Sequence, residues 1–368
     1  MIRRCQRRTV PTLAALALLV VLGSSCAYYN TYYLAKRYYT TACAGLPYAL
    51  EKPDGSQTGN YQKAIDYSKK VIATYPGSKW VDDAYLIWAQ SLLGKEDPLQ
   101  SVIMLQDFHA RFPTSSRTNE AIFYLGVAFR QARKPREALV ALDEFLQKAP
   151  KGPLAPYAEL ERSRALMTLN RPAEAAAAAR RVIEGYPGGP LEIRARATHA
   201  EAALAGGDPI SARKDFQELG LHAINDDQRF EFLLREADCL EAARDYDRAL
   251  GLLNSALSTE IAPVKNASGV APTGPGVERH GQLTLRIGTV YLLAGKPDQA
   301  LAAYKTVLQD YPKTGLAAEA QYRIAYTHET ALDDFTTARQ EYAKVRDQSV
   351  ASAFFTQATN RQQSLDRL

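Results

Sequence analysis

Reactive and metal-binding side chains are scarce in this chain, with four cysteines, five histidines, three methionines and two tryptophans among 368 residues. His109, His199, His222, His280 and His328 never fall four apart or in an H-E-x-x-H run, so no zinc site is signalled. There is no G-x-x-x-x-G-K-S/T phosphate loop, no G-x-G-x-x-G opening a helix and no G-x-S-x-G nucleophile elbow. The acidic pairs Asp82–Asp83, Asp226–Asp227 and Asp333–Asp334 fall at expected helix starts, where they cap free N–H groups and meet the positive end of the helix dipole. Neither an enzyme nor a cofactor, metal or small-molecule substrate is expected. After residue 26 no run of Lys and Arg exceeds two, which excludes a nucleic-acid partner. The longest apolar run near the N-terminus, Thr12–Leu22, falls short of the roughly 20 residues that span a bilayer as a helix.

What the chain has instead is periodicity. Ala64, Ser101, Ala138, Ala175, Ala212 and Ala249 stand 37 apart, and so do Ala89, Gly126, Ser163, Ala200 and Ala237. Both ladders then jump by 51, to Ala300 and Gly288, because Val264–Arg279 is inserted; Ala325 follows Gly288 by 37 again. One ladder could be chance in an Ala-rich chain. Two in phase, broken by one insertion, mark a repeat.

Each unit is a pair of helices. NYQKAIDYSKKVIATYP, RKPREALVALDEFLQKAP, NRPAEAAAAARRVIEGYP and GKPDQALAAYKTVLQDYP carry apolar residues three, four and seven apart, the spacing of one helical face. Pro76, Pro113, Pro150, Pro187 and Pro312 end these helices, because proline lacks the N–H and restricts the residue before it. DDAYLIWAQSLL, NEAIFYLGVAF, AELERSRALM and AAEAQYRIAYTH surround the second ladder as another helix, joined to the first type by Gly-, Asn- or Asp-Pro turns. The small residues belong where backbones approach, and one unit cannot bury its apolar face without neighbours.

A small residue in helix A (Gly126), another early in helix B (Ala138) and a closing proline (Pro150) resemble the tetratricopeptide repeat, over roughly Tyr28 to Val350. The period of 37 exceeds the usual ~34. The endings YPGS, FPTS, YPGG and YPKT resemble bacterial envelope members of that superfamily. The expected fold is all-α, an α-solenoid of about eight tetratricopeptide-like helix–turn–helix repeats.

The start of the chain is an address. Arg3, Arg4, Arg7 and Arg8 precede the apolar run, and Gly23-Ser24-Ser25-Cys26 follows, as in a secretory signal. Small residues leading into a cysteine resemble a bacterial lipobox, in which Cys26 takes the lipid and becomes the N-terminus; Gly23 replaces the usual leucine there, with Leu22 one place earlier. Cleavage after Ser25 or Ala27, giving a soluble periplasmic protein, is the alternative. Without the four signal arginines the chain holds 41 Lys and Arg against 40 Asp and Glu, so its basic character lies mostly in the signal. The expected organisation is a signal over 1–25, a Tyr-rich first helix over 26–44, a polar insertion over 45–60, the repeats over 61–350 with the loop 264–279, and a capping helix over 351–368. Cys43 and Cys239 lie about five repeats apart, too far for an intramolecular disulfide, and Cys239 is expected as buried filler.

Tyr28, Tyr29, Tyr32, Tyr33, Tyr38 and Tyr39 follow Cys26 closely. They can pack as the cap of the first repeat, or sit at the headgroup level beside a lipid. A cysteine followed by YYNTYYLAKRYY resembles tetratricopeptide outer-membrane lipoproteins similar to the BamD subunit of the β-barrel assembly machinery; repeat proteins associated with Tol–Pal are also similar. The resemblance implies a scaffold on the periplasmic face of the outer membrane, held by its lipid and binding envelope proteins. Ala27, in place of an aspartate retention signal, favours outer over inner membrane by the same resemblance.

In stacks of this kind the A helices line the concave side. The small-residue ladder places Asp83, Gln90, Glu120, Tyr157, Arg164, Arg194, Glu201, Glu231, Asp238, Glu319 and Tyr326 there. Tyr157, Arg164, Arg194, Glu201, Glu231, Asp238 and Tyr326 are the candidate partner-binding residues, in a basic band followed by an acidic one; an ordinary solvated face is the alternative.

Overall fold

The computed structural model describes residues 31–43, 55–260 and 274–367. Cys26, the signal-like start, Tyr28, Tyr29 and most of both insertions lie outside these residues. Among the described residues there are seventeen α-helices and no strand. Eight are A helices: α1 (Tyr33–Cys43), α3 (Val81–Gly94), α5 (Thr118–Gln131), α7 (Ala155–Thr168), α9 (Pro190–Ala205), α11 (Asp226–Ala242), α13 (Pro275–Leu293) and α15 (Gly315–Thr330). The B helices alternate with them: α2 (Thr58–Thr74), α4 (Pro98–Arg111), α6 (Pro135–Lys148), α8 (Pro172–Gly185), α10 (Pro209–Leu221), α12 (Tyr246–Leu257), α14 (Pro297–Asp310) and α16 (Phe335–Gln348). A last helix, α17 (Ala353–Leu365), follows. The chain divides into two compact units, one up to Ala202 and one from Ala203.

The turn into six of the B helices repeats one device. A residue in the left-handed region comes first: Glu96, Arg133, Asn170, Gly207, Arg244 or Gly295, with φ between 57° and 83°. Only two of the six are glycine, the residue that adopts this conformation without strain. The N-cap comes next, and proline often takes the first helical position, where its missing N–H costs nothing. Asp97 and Asp208 accept the N–H of Gln100 (3.2 Å) and Ser211 (3.1 Å). Lys134, Arg171 and Lys296 hold the same place with no side-chain cap. Asp333 (φ 52°) comes one residue late, so Ala338, fully buried, takes the ladder position in α16.

B helices end as the prolines require. The N–H groups of Tyr75, Phe112, Ala149, Tyr186 and Tyr311 bond four residues back at 2.8–3.0 Å, and the next residue is proline each time. α10 has no closing proline, and the His222 N–H turns to Leu219 O (3.1 Å) instead.

The two ladders prove to be two sides of one contact. Ser101 Oγ of α4 donates to Ala89 O of α3 (2.9 Å), and Ser163 Oγ of α7 donates to Ala175 O of α8 (2.7 Å). A Cβ on Gly126 would come within 2.6 Å of Leu142 Cγ, and one on Gly288 within 2.5 Å of the Tyr304 ring. The ladder therefore stays small because a neighbouring side chain already fills the space. Phe108, Phe123, Tyr124, Leu142 and Phe145 form the core there, each buried residue of this size contributing roughly 1.5–3 kcal/mol. Tyr304, Val307, Tyr311 and Ile324 do the same in the second unit.

The tyrosines at the start pack. Tyr32 stacks on Trp80 (ring centroids 4.8 Å apart), Tyr38 stacks on Tyr67 (5.7 Å) and Tyr39 meets Tyr61 (6.4 Å). Tyr33 alone of these four is exposed, at 47%. Cys43 and Cys239 are both buried and free, and burial pushes the Cys43 thiol up.

The second insertion ends earlier than its composition implies. Gly274 (φ 142°) turns the chain and Pro275 opens α13, so Pro275–Arg279 are already helical. The Arg279 guanidinium then ties that helix to Glu260 (2.9 Å) and Asp227 (3.0 Å).

Candidate partner-binding face

In both compact units the A helices touch not only their B partners but each other. α1 meets α3, α3 meets α5 and α5 meets α7; in the second unit α11 meets α13, α13 meets α15 and α15 meets α17. Ladder geometry fixes this side, because small residues at the A–B crossing turn the opposite flank of each A helix toward the next A helix.

Polar side chains cross those seams. Arg117, the N-cap of α5, donates to Asp83 of α3 (2.8 Å) and to Glu120 (3.1 Å), while Gln90 donates to Glu120 (3.3 Å). Arg130 reaches Glu161 of α7, whose fully buried carboxylate also accepts from Arg164 (3.0 Å). In the second unit Arg286 of α13 binds Asp238 and Glu241 of α11, the latter at 2.8 Å. Arg323 of α15 donates to Thr289 of α13 (3.0 Å), and Arg361 of α17 binds Glu329 of α15 (2.7 Å). Arginine suits this place: its fork serves two acceptors at once and it stays charged when half-buried.

These contacts decide what each expected residue can do. Arg164 is held by Glu161, and Asp238 by Arg235 (2.8 Å) and Arg286, so one member of each band is paired within the fold. Tyr157 is half-buried against the core. Tyr326 lies under the Arg361 guanidinium, 5.0 Å from its ring centre, and stacks on Tyr322. Arg194 and Glu201 are half-buried on α9, and Glu231 is exposed on α11. Gln90 is buried, Asp83 and Glu120 form one cluster, and Glu319 pairs with Arg323 (2.5 Å). Burial raises the Glu120 and Glu241 carboxyls above the usual range, against the pull of Arg117 and Arg286.

Arg117, Arg130, Glu161, Arg286, Glu329 and Arg361 were not among the expected site residues. Their signal lies in the period: opposite charges 34, 31 and 32 residues apart are one repeat less about one or two helical turns. Beside this face, a cavity of about 590 Å³ in the second unit is lined by Phe230, Leu233, Val277, Arg229 and Arg279. Among the described residues no three His, Cys, Asp or Glu side chains gather as metal ligands, and no helix is long and apolar enough to cross a membrane.

The sequence pattern of the tetratricopeptide repeat family matches residues 88–190 and 285–352. No curated protein matches the chain in sequence. The apo form of RapI is similar in structure, with a TM-score of 0.54 at 10% identity over 91% of this chain and 96% of that one. A tetratricopeptide repeat protein from Parabacteroides merdae aligns at 13% identity over 77% of this chain and 98% of its own, with a TM-score of 0.42. Pseudomonas aeruginosa pilF aligns at 18% identity over 66% and 97%, with a TM-score of 0.40. At these identities the likeness concerns fold alone. The chain thus has an all-α fold of tetratricopeptide-like repeats, with the family's sequence pattern at residues 88–190 and 285–352.

Proposed function

We propose that the chain is a non-enzymatic scaffold lipoprotein, held by acyl groups on Cys26 to the periplasmic face of the outer membrane, that binds envelope proteins along its A helices. The observation that carries the binding face is the set of cross-seam bonds. Arg117, Arg130, Arg286, Arg323 and Arg361 hold neighbouring A helices in register before any partner arrives. A surface ordered in advance loses less entropy on binding. The location rests on the signal-like start, Cys26 and Ala27.

Within this reading a BamD-like part in outer-membrane protein assembly is the first specific form. A coordinator of a Tol–Pal, secretion, pilus or polysaccharide-export machine is the second, favoured by the eight A–B pairs among the described residues, which exceed the about five repeats BamD-like proteins resemble.

Two experiments test the reading. A photo-crosslinking residue at Glu231 or Glu201 should give a discrete adduct in cells, and one at exposed Lys305 of α14 should not. Equal adducts at both places would remove the A-helix assignment, and the identity of the adduct separates the two machines. Cys26→Ala should abolish fatty-acid labelling and release the protein from membranes; unchanged fractionation would reject the anchor.

A further inference from the structure

The first helix pair differs in charge from everything after it. Between residues 31 and 80 the chain has seven Lys and Arg against three Asp and Glu; from residue 81 onward it has 34 against 37. Six of those seven cations are described, and Lys36, Arg37, Lys63, Lys69, Lys70 and Lys79 are all exposed. The one described acid among them, Asp66, accepts from Gln62 (2.8 Å). Among the described residues none of the six pairs with a carboxylate.

Lys63, Lys69 and Lys79 rest on rings instead: Nζ lies 5.1 Å from the centre of Tyr38, 4.9 Å from Trp88 and 4.9 Å from Trp80. Such lysines cover aromatic surface with their stems and leave the ammonium to the solvent.

Four of the cations lie on the exposed sides of α1 and α2. Tyr33, Lys36, Arg37 and Thr40 occupy the exposed side of α1, opposite buried Ala35, Ala42 and Cys43. Lys63, Tyr67 and Lys70 follow each other by four and three along α2, on the side where Tyr67 stacks on Tyr38 of α1. Thr31, the first described residue, follows Cys26 by five positions, which limits the separation to about 18 Å.

We propose that the exposed region made by Lys36, Arg37, Lys63 and Lys70 with Tyr33 lies on an anionic phospholipid surface. The charge is of one sign, solvent-facing and without a carboxylate partner among the described residues, whereas seam arginines such as Arg130, Arg286 and Arg361 are spent on carboxylates. Cations near a membrane surface gain from its negative potential, and an exposed tyrosine suits the headgroup layer. The proposal rests on the lipoprotein reading for where the surface sits, not for what it binds.

The test uses the full chain carrying Cys26→Ala, which cannot be acylated there, and vesicles of phosphatidylcholine alone or mixed in equal parts with phosphatidylglycerol. Co-sedimentation should be stronger on the anionic vesicles and fall as salt screens the charges. Adding Lys36→Gln, Arg37→Gln, Lys63→Gln and Lys70→Gln should weaken the anionic preference by about five-fold per cation, two to three orders of magnitude in all. Lys151→Gln, Lys214→Gln, Lys296→Gln and Lys305→Gln together, on other repeats, should leave it unchanged. Equal affinity for both vesicle types, an unchanged preference in the first set, or an equal loss in the second would each overturn the proposal. Failure of fatty-acid labelling at Cys26 in the parent would reject the anchor alone, because the vesicle comparison never involves it.

Discussion

The α1–α2 pair and the later A helices use positive charge in opposite ways. On α1 and α2 the cations are mostly lysines, all solvent-facing, and Lys63 and Lys69 rest on rings. From α5 onward the cations are mostly arginines, and those at the seams, Arg130, Arg286 and Arg361, are half-buried and bonded to carboxylates. A lysine is a mobile point charge and an arginine a rigid fork, so the first region keeps its charge for something outside while the second consumes it in holding helices together. Beyond the signal-like start, a balance of 41 Lys and Arg against 40 Asp and Glu conceals this division.

The largest break should come at Glu161. Glu161→Ala leaves Arg130 and Arg164 without their common acceptor, and should cost roughly 2–4 kcal/mol in urea unfolding, the arginines recovering some of it by reaching water. A loss below about 0.5 kcal/mol would reduce the seam bonds to ornament on packing. Packing itself is tested next. Gly126→Leu drives a side chain into Leu142 and should cost roughly 1–3 kcal/mol, with Ala138→Leu similar; an unchanged melt would sink the assignment of that A–B contact.

Lys296→Asp should act in the other direction. It supplies the cap that Asp97 and Asp208 already provide at the equivalent place, and should stabilise by about 1 kcal/mol. Amide exchange in the first turn of α14 would localise the gain.

Glu120 makes a pH prediction. Burial raises its carboxyl in the folded chain, so folding favours the protonated form. This contribution is fully present below the ordinary carboxylate range and is lost as pH rises through the raised value. Glu120→Gln should therefore compare better with the parent at pH 7 than at pH 4; the reverse order in paired melts would mean that Arg117 outweighs burial. The smallest effect is expected from neutralising Lys36, Arg37, Lys63 and Lys70. Removing unpaired surface charge should move stability by less than about 0.5 kcal/mol, and a larger loss would show that these lysines hold the fold after all.

Much of this was legible in the residues. The ladders mark the A–B crossing, and Ser101 and Ser163 bridge from one ladder to the other because both occupy that contact. Closing prolines likewise sit where they end helices. The seams were less legible, since Arg117 or Glu161 looks like any surface charge until the period is combined with a step back along the helix. Cavity walls and the start of α13 at Pro275 depend on backbone geometry around Gly274, which composition reads only as loop. Of the candidate residues, Glu231 is exposed; Arg164 pairs with Glu161 three residues back on its own helix, and Asp238 with Arg235 on its own helix and Arg286 on α13, pairings that the ladder does not count.

The left-handed turn before six of the B helices has a further consequence, for what the chain tolerates over evolutionary time. Glu96, Arg133 and Arg244 hold a conformation that glycine would hold with less strain. Each therefore carries a small standing penalty, and repeated at successive turns the penalties form a reserve of unclaimed stability. A lineage drifting toward glycine at these turns could absorb damaging changes on the A-helix face, where new partners would be selected, without leaving the folded state. Gly207 and Gly295 are the two turns where that reserve has already been drawn.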